Sequence, residues 1–266
     1  MRSYRTNVLS SLVLPLLLVA CGDDEDGDGL VPWSAQRTQV IDGKREVVKV
    51  APAAGSECVD YGGLCLKPQD KCGTNGADIL LDGQGRLLDF ICYPGEATLS
   101  VEELGQHDGN IAQNENGKVV LLDDRDDGAD ITGNVSIDAN GIVLYGEHAD
   151  NAVIGGSLTI DGNNVLVRGA RIQGNVTIVK NDAVLALCVI EGDLEIQGNN
   201  AELMACDVYG NVTVSGNNVR LFGNRIAGTV SVSGMNPVCT DNLTLSDGNG
   251  NHTVEAGEVG ALRSCD

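Results

Sequence analysis

The C-terminal half of the chain repeats itself with an 18-residue spacing. A glycine recurs at positions 156, 174, 192, 210 and 228, and each opens a unit such as GNVTIVKNDAVLALCVIE or GDLEIQGNNAELMACDVY. An earlier unit is longer and runs from position 133 to position 155. A fixed period of this kind is typical of solenoids, in which each repeat forms one coil that packs on its neighbours. The period therefore constrains the fold more strongly than any single motif does.

Within each unit, apolar residues occupy positions 3, 5, 10, 12 and 17, counted from the glycine. The alternation at positions 3 to 5, as in Val176, Thr177 and Ile178, indicates a strand whose middle residue faces outward. Positions 10 and 12 indicate a second strand, and position 17 indicates a third, very short one. No unit has the helical period of about 3.6 residues. The sequence predicts an all-β fold, a single-stranded parallel β-helix (solenoid) with three short strands in each coil.

Two kinds of parallel β-helix could close such a coil. The left-handed hexapeptide helix requires an inward aliphatic residue at every sixth position, here 17, 5 and 11, but position 11 holds Glu202 and Arg220 in successive units. The right-handed form is therefore favoured. The frame G-[NDS]-[VL]-x-[IV]-x-G-N-N resembles the right-handed parallel β-helix repeat proteins of bacterial surfaces. Because that group includes polysaccharide lyases, adhesins, ice-binding proteins and scaffolds, the resemblance implies an architecture and no particular function.

The N-terminus predicts an export signal. Arg2 and Arg5 precede the apolar run VLSSLVLPLLLVA, which has the length of a signal-peptide core and is too short to span a bilayer. The run ends in Leu-Val-Ala before Cys21, and this ending resembles the lipobox of bacterial lipoproteins. The resemblance implies that Cys21 is acylated and attached to the lipid bilayer, in the cell envelope of a Gram-negative bacterium, at its outer membrane or cell surface. The alternative is an ordinary secretory signal that happens to end in cysteine.

Composition divides the chain into five segments. They are a signal peptide (1–20), an acidic flexible tether (21–55), a cysteine-rich module that caps the solenoid (56–110), the parallel β-helix (111–245) and a C-terminal cap (246–266). The tether begins with CGDDEDGDG, which cannot bury apolar surface. The formal net charge of −21 repels phosphate groups, so nucleic acid is excluded as a partner.

Eight cysteines remain after Cys21, an even number that predicts disulfides in an exported protein. The four nearest the N-terminus lack the CxxC pairs of a zinc site, and we expect two disulfides among them. Cys188 and Cys206 share position 15 on neighbouring coils, close enough for a disulfide or a buried thiol pair, and the disulfide is favoured. The last two are expected to close the C-terminal cap. The eight residues, whose full pairing the sequence leaves open, are Cys58, Cys65, Cys72, Cys92, Cys188, Cys206, Cys239 and Cys265.

Several side chains should form columns along the solenoid. Asparagines stack at positions 8 and 9, where asparagine tolerates a left-handed backbone and can bond to the same amide one coil away. Opposite charges at equivalent positions of successive units should meet on adjacent coils, in the pairs Glu202–Arg220 and Asp207–Arg225. The outward residues of the first strand form one hydroxyl-rich column that a glutamate interrupts, which favours a solvated face over an ice-binding one. This column is Ser136, Thr159, Thr177, Glu195, Thr213 and Ser231.

The segment DDRDDGAD, residues 123–130, is the one candidate for a ligand site. A solvated acidic turn is the expected structure, and the alternative is a calcium or glycan contact through Asp123, Asp124, Asp126, Asp127 and Asp130. The three histidines are scattered, without metal-ligand spacing or a neighbouring nucleophile. The sequence therefore predicts no catalytic residues, no metal site and no cofactor, apart from that calcium alternative.

These features together predict a membrane-anchored envelope lipoprotein. Its β-helix would act as a non-enzymatic scaffold or as a surface binding or adhesion module. The alternative is a polysaccharide-binding or polysaccharide-degrading β-helix protein. The expected partners are the bilayer, and either a polysaccharide or another envelope protein.

Metabolic labelling tests the lipid anchor. In cells grown with radioactive palmitate, we expect the wild-type chain to be labelled and Cys21→Ala to be unlabelled, because the thiol of Cys21 is the predicted site of acylation. An unlabelled wild-type chain would contradict the lipobox assignment.

Overall fold

The computed structural model describes residues 106–122, 131–146, 149, 152–255 and 257–265, with the side chain of Leu121 excepted. N-terminal to these residues it describes the backbone of seven strands. These are β1 (Thr38–Ile41), β2 (Arg45–Val50), β3 (Val59–Tyr61), β4 (Leu64–Leu66), β5 (Ala77–Asp82), β6 (Leu87–Cys92) and β7 (Ser100–Leu104).

The strands that follow are short, and most of them have two or three residues. They are β8 (Ile111–Gln113), β9 (Lys118–Leu122), β10 (Val135–Ile137), β11 (Val143–Tyr145), β12 (Val153–Ile154), β13 (Leu158–Ile160), β14 (Leu166–Arg168), β15 (Arg171–Ile172), β16 (Val176–Ile178), β17 (Val184–Ala186), β18 (Val189–Ile190), β19 (Leu194–Ile196), β20 (Glu202–Met204), β21 (Asp207–Val208), β22 (Val212–Val214), β23 (Arg220–Phe222), β24 (Arg225–Ile226), β25 (Val230–Val232), β26 (Val238–Thr240), β27 (Leu243–Leu245) and β28 (Val259–Leu262).

Three parallel ladders run the length of a β-solenoid of about five coils with 18-residue spacing. Ladder 1 contains β8, β10, β13, β16, β19, β22 and β25; ladder 2 contains β7, β9, β11, β14, β17, β20, β23 and β26; ladder 3 contains β12, β15, β18, β21, β24 and β27, with β28 added at its end. Every regular element in the described residues is a strand. No helix among these residues is long and apolar enough to cross a membrane. The predicted all-β solenoid is confirmed, and the right-handed sense of its coils stays a prediction.

The strands N-terminal to the solenoid form separate antiparallel sheets. One has four strands in the order β1, β2, β5 and β6, and the other pairs β3 with β4. Strand β7 belongs to the solenoid, because it pairs in parallel with β9 at the end of ladder 2. The ladder thus reaches N-terminal of residue 111, where the sequence analysis places the first coil.

The core is a column of aliphatic side chains inside the coils. In the unit that begins at Gly174, the inward residues at positions 3, 5, 10, 12 and 17 are all fully buried, and they are Val176, Ile178, Ala183, Leu185 and Ile190. The same positions carry the core in the neighbouring coils. Position 11 points away from this core, which explains why it tolerates charged residues and why the hexapeptide pattern fails. The inward pattern read from the sequence is therefore confirmed.

Position 1 is glycine because the neighbouring coil leaves no room for a side chain there. A Cβ atom on Gly210 would lie closer than 3.0 Å to the carbonyl oxygen of Gly192, and one on Gly228 would lie equally close to that of Gly210. Real Cβ atoms do not approach a carbonyl oxygen to such distances. The close backbone approach at this corner therefore explains the recurrence of glycine.

Asparagine columns complete the corners, as predicted. At position 8, the side-chain oxygen of Asn181 accepts a hydrogen bond from the backbone N–H of Asn199 at 2.9 Å, and Asn199 does the same for Asn217. The next residue along, at position 9, has a left-handed backbone in the five 18-residue units, with φ between 54° and 59°. Position 2 repeats the arrangement, since Asn175 accepts from the N–H of Asp193 at 2.9 Å. These amides satisfy backbone donors that the strands do not pair.

The C-terminal segment folds back on the last coils. A disulfide joins Cys239, in the last strand of ladder 2, to Cys265, the pair that the sequence analysis places at this cap. Strand β28 pairs antiparallel with β27, and the Arg263 guanidinium donates a hydrogen bond to the carbonyl oxygen of Ile226 at 2.8 Å. The open edge of ladder 3 is therefore covered.

The position 1 corner yields a stability prediction. We expect Gly210→Ala to lower the free energy of unfolding by about 1–3 kcal/mol, because its Cβ would force the two coils apart. Urea unfolding measures the change. Gly248→Ala is the matched control, since a Cβ there would have no neighbour within 4 Å. Equal stability of the two variants would contradict the close-approach explanation.

Candidate functional site

The outer face of ladder 1 is a predominantly polar surface, called the polar face below. Its side chains come from positions 2, 4 and 6, because strand residues alternate between the core and the outside. Position 4 is in register from coil to coil, half-buried near the N-terminal end and exposed from Glu195 onward. The column is Ser136, Thr159, Thr177, Glu195, Thr213 and Ser231. The structure therefore places the predicted hydroxyl-rich column on one line.

Part of the polar face forms a trough of about 540 Å³ that crosses successive coils. Its lining presents hydroxyl, carboxamide and carboxylate groups from Asn175, Val176, Thr177, Asp193, Leu194, Glu195, Asn211, Thr213 and Thr229. This volume lies in the range of small-molecule sites. Because no aromatic side chain lines the trough, a ligand here would be held by hydrogen bonds rather than by ring stacking.

The polar face is acidic. Four of its side chains are carboxylates, from Asp138, Asp161, Asp193 and Glu195, and no lysine or arginine occupies positions 2, 4 or 6 of the described units between residues 133 and 233. Lys180, at the neighbouring position 7, lies 3.4 Å from the carboxylate of Asp161. The side chain of Gln197 donates a 2.8 Å hydrogen bond to Glu195 and holds it in place. Such a surface favours neutral or cationic ligands and repels anionic ones.

A second cluster of charged and aromatic side chains lies on ladder 3. Arg171 donates a 2.8 Å hydrogen bond to Glu191, whose other oxygen lies 3.3 Å from Nδ1 of His252. The second ring nitrogen of His252 lies 3.7 Å from Asp247, and its ring packs on Tyr209 with 4.8 Å between centroids. No pattern in the sequence predicts this cluster. Nothing in the spacing of Arg171 and His252, which are 81 residues apart, indicates that they meet.

This second cluster attaches the C-terminal segment to the coils. Burial raises the pKa of Tyr209 above its ordinary value, and the nearby carboxylates of Asp207 and Asp247 raise it further by repelling the phenolate. The hydroxyl is therefore a weaker acid than that of an ordinary tyrosine and keeps its proton. The carbonyl oxygen of His252 also accepts a hydrogen bond from Arg171 at 3.2 Å. Ladder 3 thus holds this segment through the backbone as well as through the ring.

The loop after β27, DGNGNHTVEAGE, has oxygen-bearing residues at the spacing of a calcium loop. It carries His252 at the sixth position, where such a loop has glycine. The Asp247 carboxylate accepts hydrogen bonds from the backbone N–H groups of Gly250, Asn251 and His252 at 2.9–3.2 Å. Among the described residues, no group of three or more His, Cys, Asp or Glu side chains is arranged to hold a metal ion. We assign no metal site to this loop.

Cys188 and Cys206 are free, buried thiols, so the disulfide expected between them does not form. Parallel stacking keeps equivalent Cβ atoms about 4.8 Å apart, whereas a disulfide needs about 3.5–4.5 Å. Instead, the sulfur of Cys206 accepts a hydrogen bond from the backbone N–H of Cys188 at 3.3 Å. One coil further, the side-chain oxygen of Asn224 accepts from the N–H of Cys206 at 2.9 Å. The two cysteines therefore belong to a third corner column, in which sulfur takes the place of an amide oxygen.

The predicted ion pairs between coils are confirmed. Arg220 donates a 2.9 Å hydrogen bond to Glu202 on ladder 2. On ladder 3, the Arg225 guanidinium contacts both carboxylate oxygens of Asp207. Each pair joins equivalent positions of neighbouring coils in register, as stacked coils require.

Other predicted sites lie outside the described residues or are described by backbone alone. The lipidation site Cys21 and the acidic turn with its five aspartates belong to the first group, together with Cys58 and Cys72. Cys65 lies in β4 and Cys92 in β6, both described by their backbone. The lipid anchor, the calcium or glycan contact and the N-terminal disulfides stay predictions.

Comparison with protein-family models, curated proteins and solved structures found no match to this chain.

The free thiols yield a prediction about reactivity. Burial raises the pKa of the Cys206 thiol well above its ordinary value, so the thiol is neutral and shielded. Without reductant at mildly alkaline pH, we expect iodoacetamide to modify Cys188 and Cys206 in guanidinium chloride and to leave them unmodified in the native protein, as read by peptide mass spectrometry. The Cys239–Cys265 peptide pair, which stays linked until reductant is added, is the control. A linked Cys188–Cys206 pair would contradict the structure.

Proposed function

We propose that the protein is a non-enzymatic binding module of the cell envelope, anchored through a lipid on Cys21, which presents the polar face to its partner. The observation that carries the proposal is the in-register column of position 4. Parallel stacking repeats hydroxyl groups at about 4.8 Å along one line, with the Glu195 carboxylate in place of one of them. A surface with the same groups at a constant interval suits an extended partner that repeats its own groups.

The chemistry of the polar face narrows the partner class. Its carboxylates, with no lysine or arginine among the described residues at positions 2, 4 and 6, disfavour acidic polymers and nucleic acid. Neutral or amine-bearing partners satisfy the same carboxylates through hydrogen bonds. The anchor and the acidic tether are expected to hold this face away from the bilayer.

A polysaccharide is the second candidate, as a specific form of the same function. The trough across Thr177, Glu195 and Thr213 supports it, because these side chains offer donors and acceptors to sugar hydroxyls. The absence of aromatic residues from the lining suits a weak, repeated contact, in which several coils together supply the affinity.

A glycan array with neutral, amine-bearing and acidic polysaccharides tests both candidates. If a polysaccharide is the partner, we expect wild-type protein to bind neutral or amine-bearing polymers, and Glu195→Arg to bind them about tenfold or more weakly. The reason is that a hydrogen bond to a charged group contributes about 1.5–3 kcal/mol. Glu255→Arg is the matched control. It introduces the same charge change at an exposed residue of the C-terminal segment, away from the polar face.

Three other results would contradict the proposal or part of it. Equal binding by wild type and Glu195→Arg would remove the polar face from the proposal. The wild-type protein should not shorten any polymer. Release of new reducing ends, measured after incubation with each polymer, would contradict a non-enzymatic role. If no polysaccharide binds, a photo-reactive amino acid in place of Thr213 should cross-link the protein to an envelope protein in intact cells. The absence of any cross-linked partner at that position would contradict the binding module itself.

A further inference from the structure

Much of the outer face of ladder 2 is as deeply buried as the core. Its residues point away from the inside of the coils, because they alternate with the core residues at positions 10 and 12, and they are absent from the core cluster. Eight of them nevertheless have exposed fractions of only 0–7%. These eight buried residues of the outer face are Val119, Val143, Tyr145, Leu166, Arg168, Ala186, Met204 and Phe222.

Coil stacking by itself does not produce such burial. The outward residues of ladder 1, such as Thr177 and Thr213, also alternate with core residues and also stack on their counterparts in the neighbouring coils. They are nevertheless half-buried or exposed. The difference requires another layer of protein on ladder 2. Since the structure is that of one chain, the layer comes from the same chain.

Burial along ladder 2 falls toward the C-terminal end. Val119 and Val143 are fully buried, Glu202 and Arg220 are partly exposed, and Val238 in the last strand is 46% exposed. The covering layer therefore reaches ladder 2 from its N-terminal end. The C-terminal segment is engaged elsewhere, because its contacts from His252 and Arg263 go to ladder 3.

The chain path points to one occupant. Strand β6 ends at Cys92 and β7, at the N-terminal end of ladder 2, begins at Ser100. Eight residue steps span at most about 29 Å, so the end of β6 lies within that distance of the N-terminal end of ladder 2. The buried stretch from β9 to β23 covers five coil spacings, about 24 Å, and the six-residue strands β2, β5 and β6 are about 20 Å long.

The composition of these strands agrees with a role as a layer. They read REVVKV, ADILLD and LLDFIC, in which apolar residues predominate. A four-stranded sheet of this composition must bury one face against another element to be stable. The outer face of ladder 2 offers an apolar surface of matching size.

We propose that the antiparallel sheet β1–β2–β5–β6 docks on the outer face of ladder 2 and forms a second layer there. The interface joins the N-terminal module rigidly to the coils. It leaves the polar face of ladder 1 open, and the proposal does not depend on what that face binds.

The methionines of the chain allow a direct test in the full-length protein. Of the three, only Met204 and Met235 lie beyond the predicted signal peptide. Met204 is fully buried in the outer face of ladder 2, and Met235, which is 68% exposed, serves as the internal control. Photo-methionine can replace both during expression, and cross-linked peptides are then identified by mass spectrometry.

We expect Met204 to cross-link to peptides from residues 38–92 within one molecule, and Met235 not to do so. Links from Met204 to a second molecule would overturn the proposal in favour of a dimer interface. Links from Met204 restricted to residues 100–266 would overturn it as well.

A matched pair of variants in one coil completes the test. Ala186→Arg places a charge in the buried outer face of ladder 2, and Thr177→Arg places the same charge on the polar face. We expect the Met204 link to residues 38–92 to be lost in Ala186→Arg and kept in Thr177→Arg, with the coils folded in both as judged by circular dichroism. Loss of the link in both variants, or in neither, would contradict docking at this face.

Discussion

Hydrogen bonding between successive coils is the interaction on which the rest of the structure depends. Each short strand pairs in parallel with the equivalent strand of the next coil, so every side chain stacks on its counterpart. A coil of this size has only a thin core and is stable because both of its neighbours cover it. Stacking is close at the corner of Gly210, where no side chain fits. The repeat length is therefore a physical requirement of the backbone pairing.

The corners show how one geometric demand is met by different residues. Each corner leaves backbone N–H groups that no strand pairs, and each of them donates a hydrogen bond to a side chain of an adjacent coil. Asparagine or aspartate does this at positions 2 and 8, and at position 15 the sulfur of Cys206 and the amides of Asn224 and Asn242 do the same. The cysteines are thus explained by the same rule as the asparagines. Their parallel side chains lie at the coil spacing, which exceeds the reach of a disulfide.

The three ladders present different outer surfaces although their coils are alike. Ladder 3 carries the C-terminal segment, attached through His252 and Arg263. On ladder 2, most outward residues from β9 to β23 are buried, and the last strand is exposed. Ladder 1 keeps an open, acidic and hydroxyl-rich face. This asymmetry supports a module that uses two of its surfaces for its own assembly and offers the third to a partner.

By itself the sequence determined the coil length, the inward positions, the asparagine corners and the ion pairs between coils, because each of these features repeats with every coil. It could not indicate that Arg171 meets His252, or that outward residues such as Leu166 and Met204 are buried. Those contacts come from segments that cross the coils once and leave no period in the sequence. Cys188 and Cys206 were placed correctly as neighbours, but only the tertiary structure decided their chemistry, since the spacing of parallel strands sets the distance between their side chains.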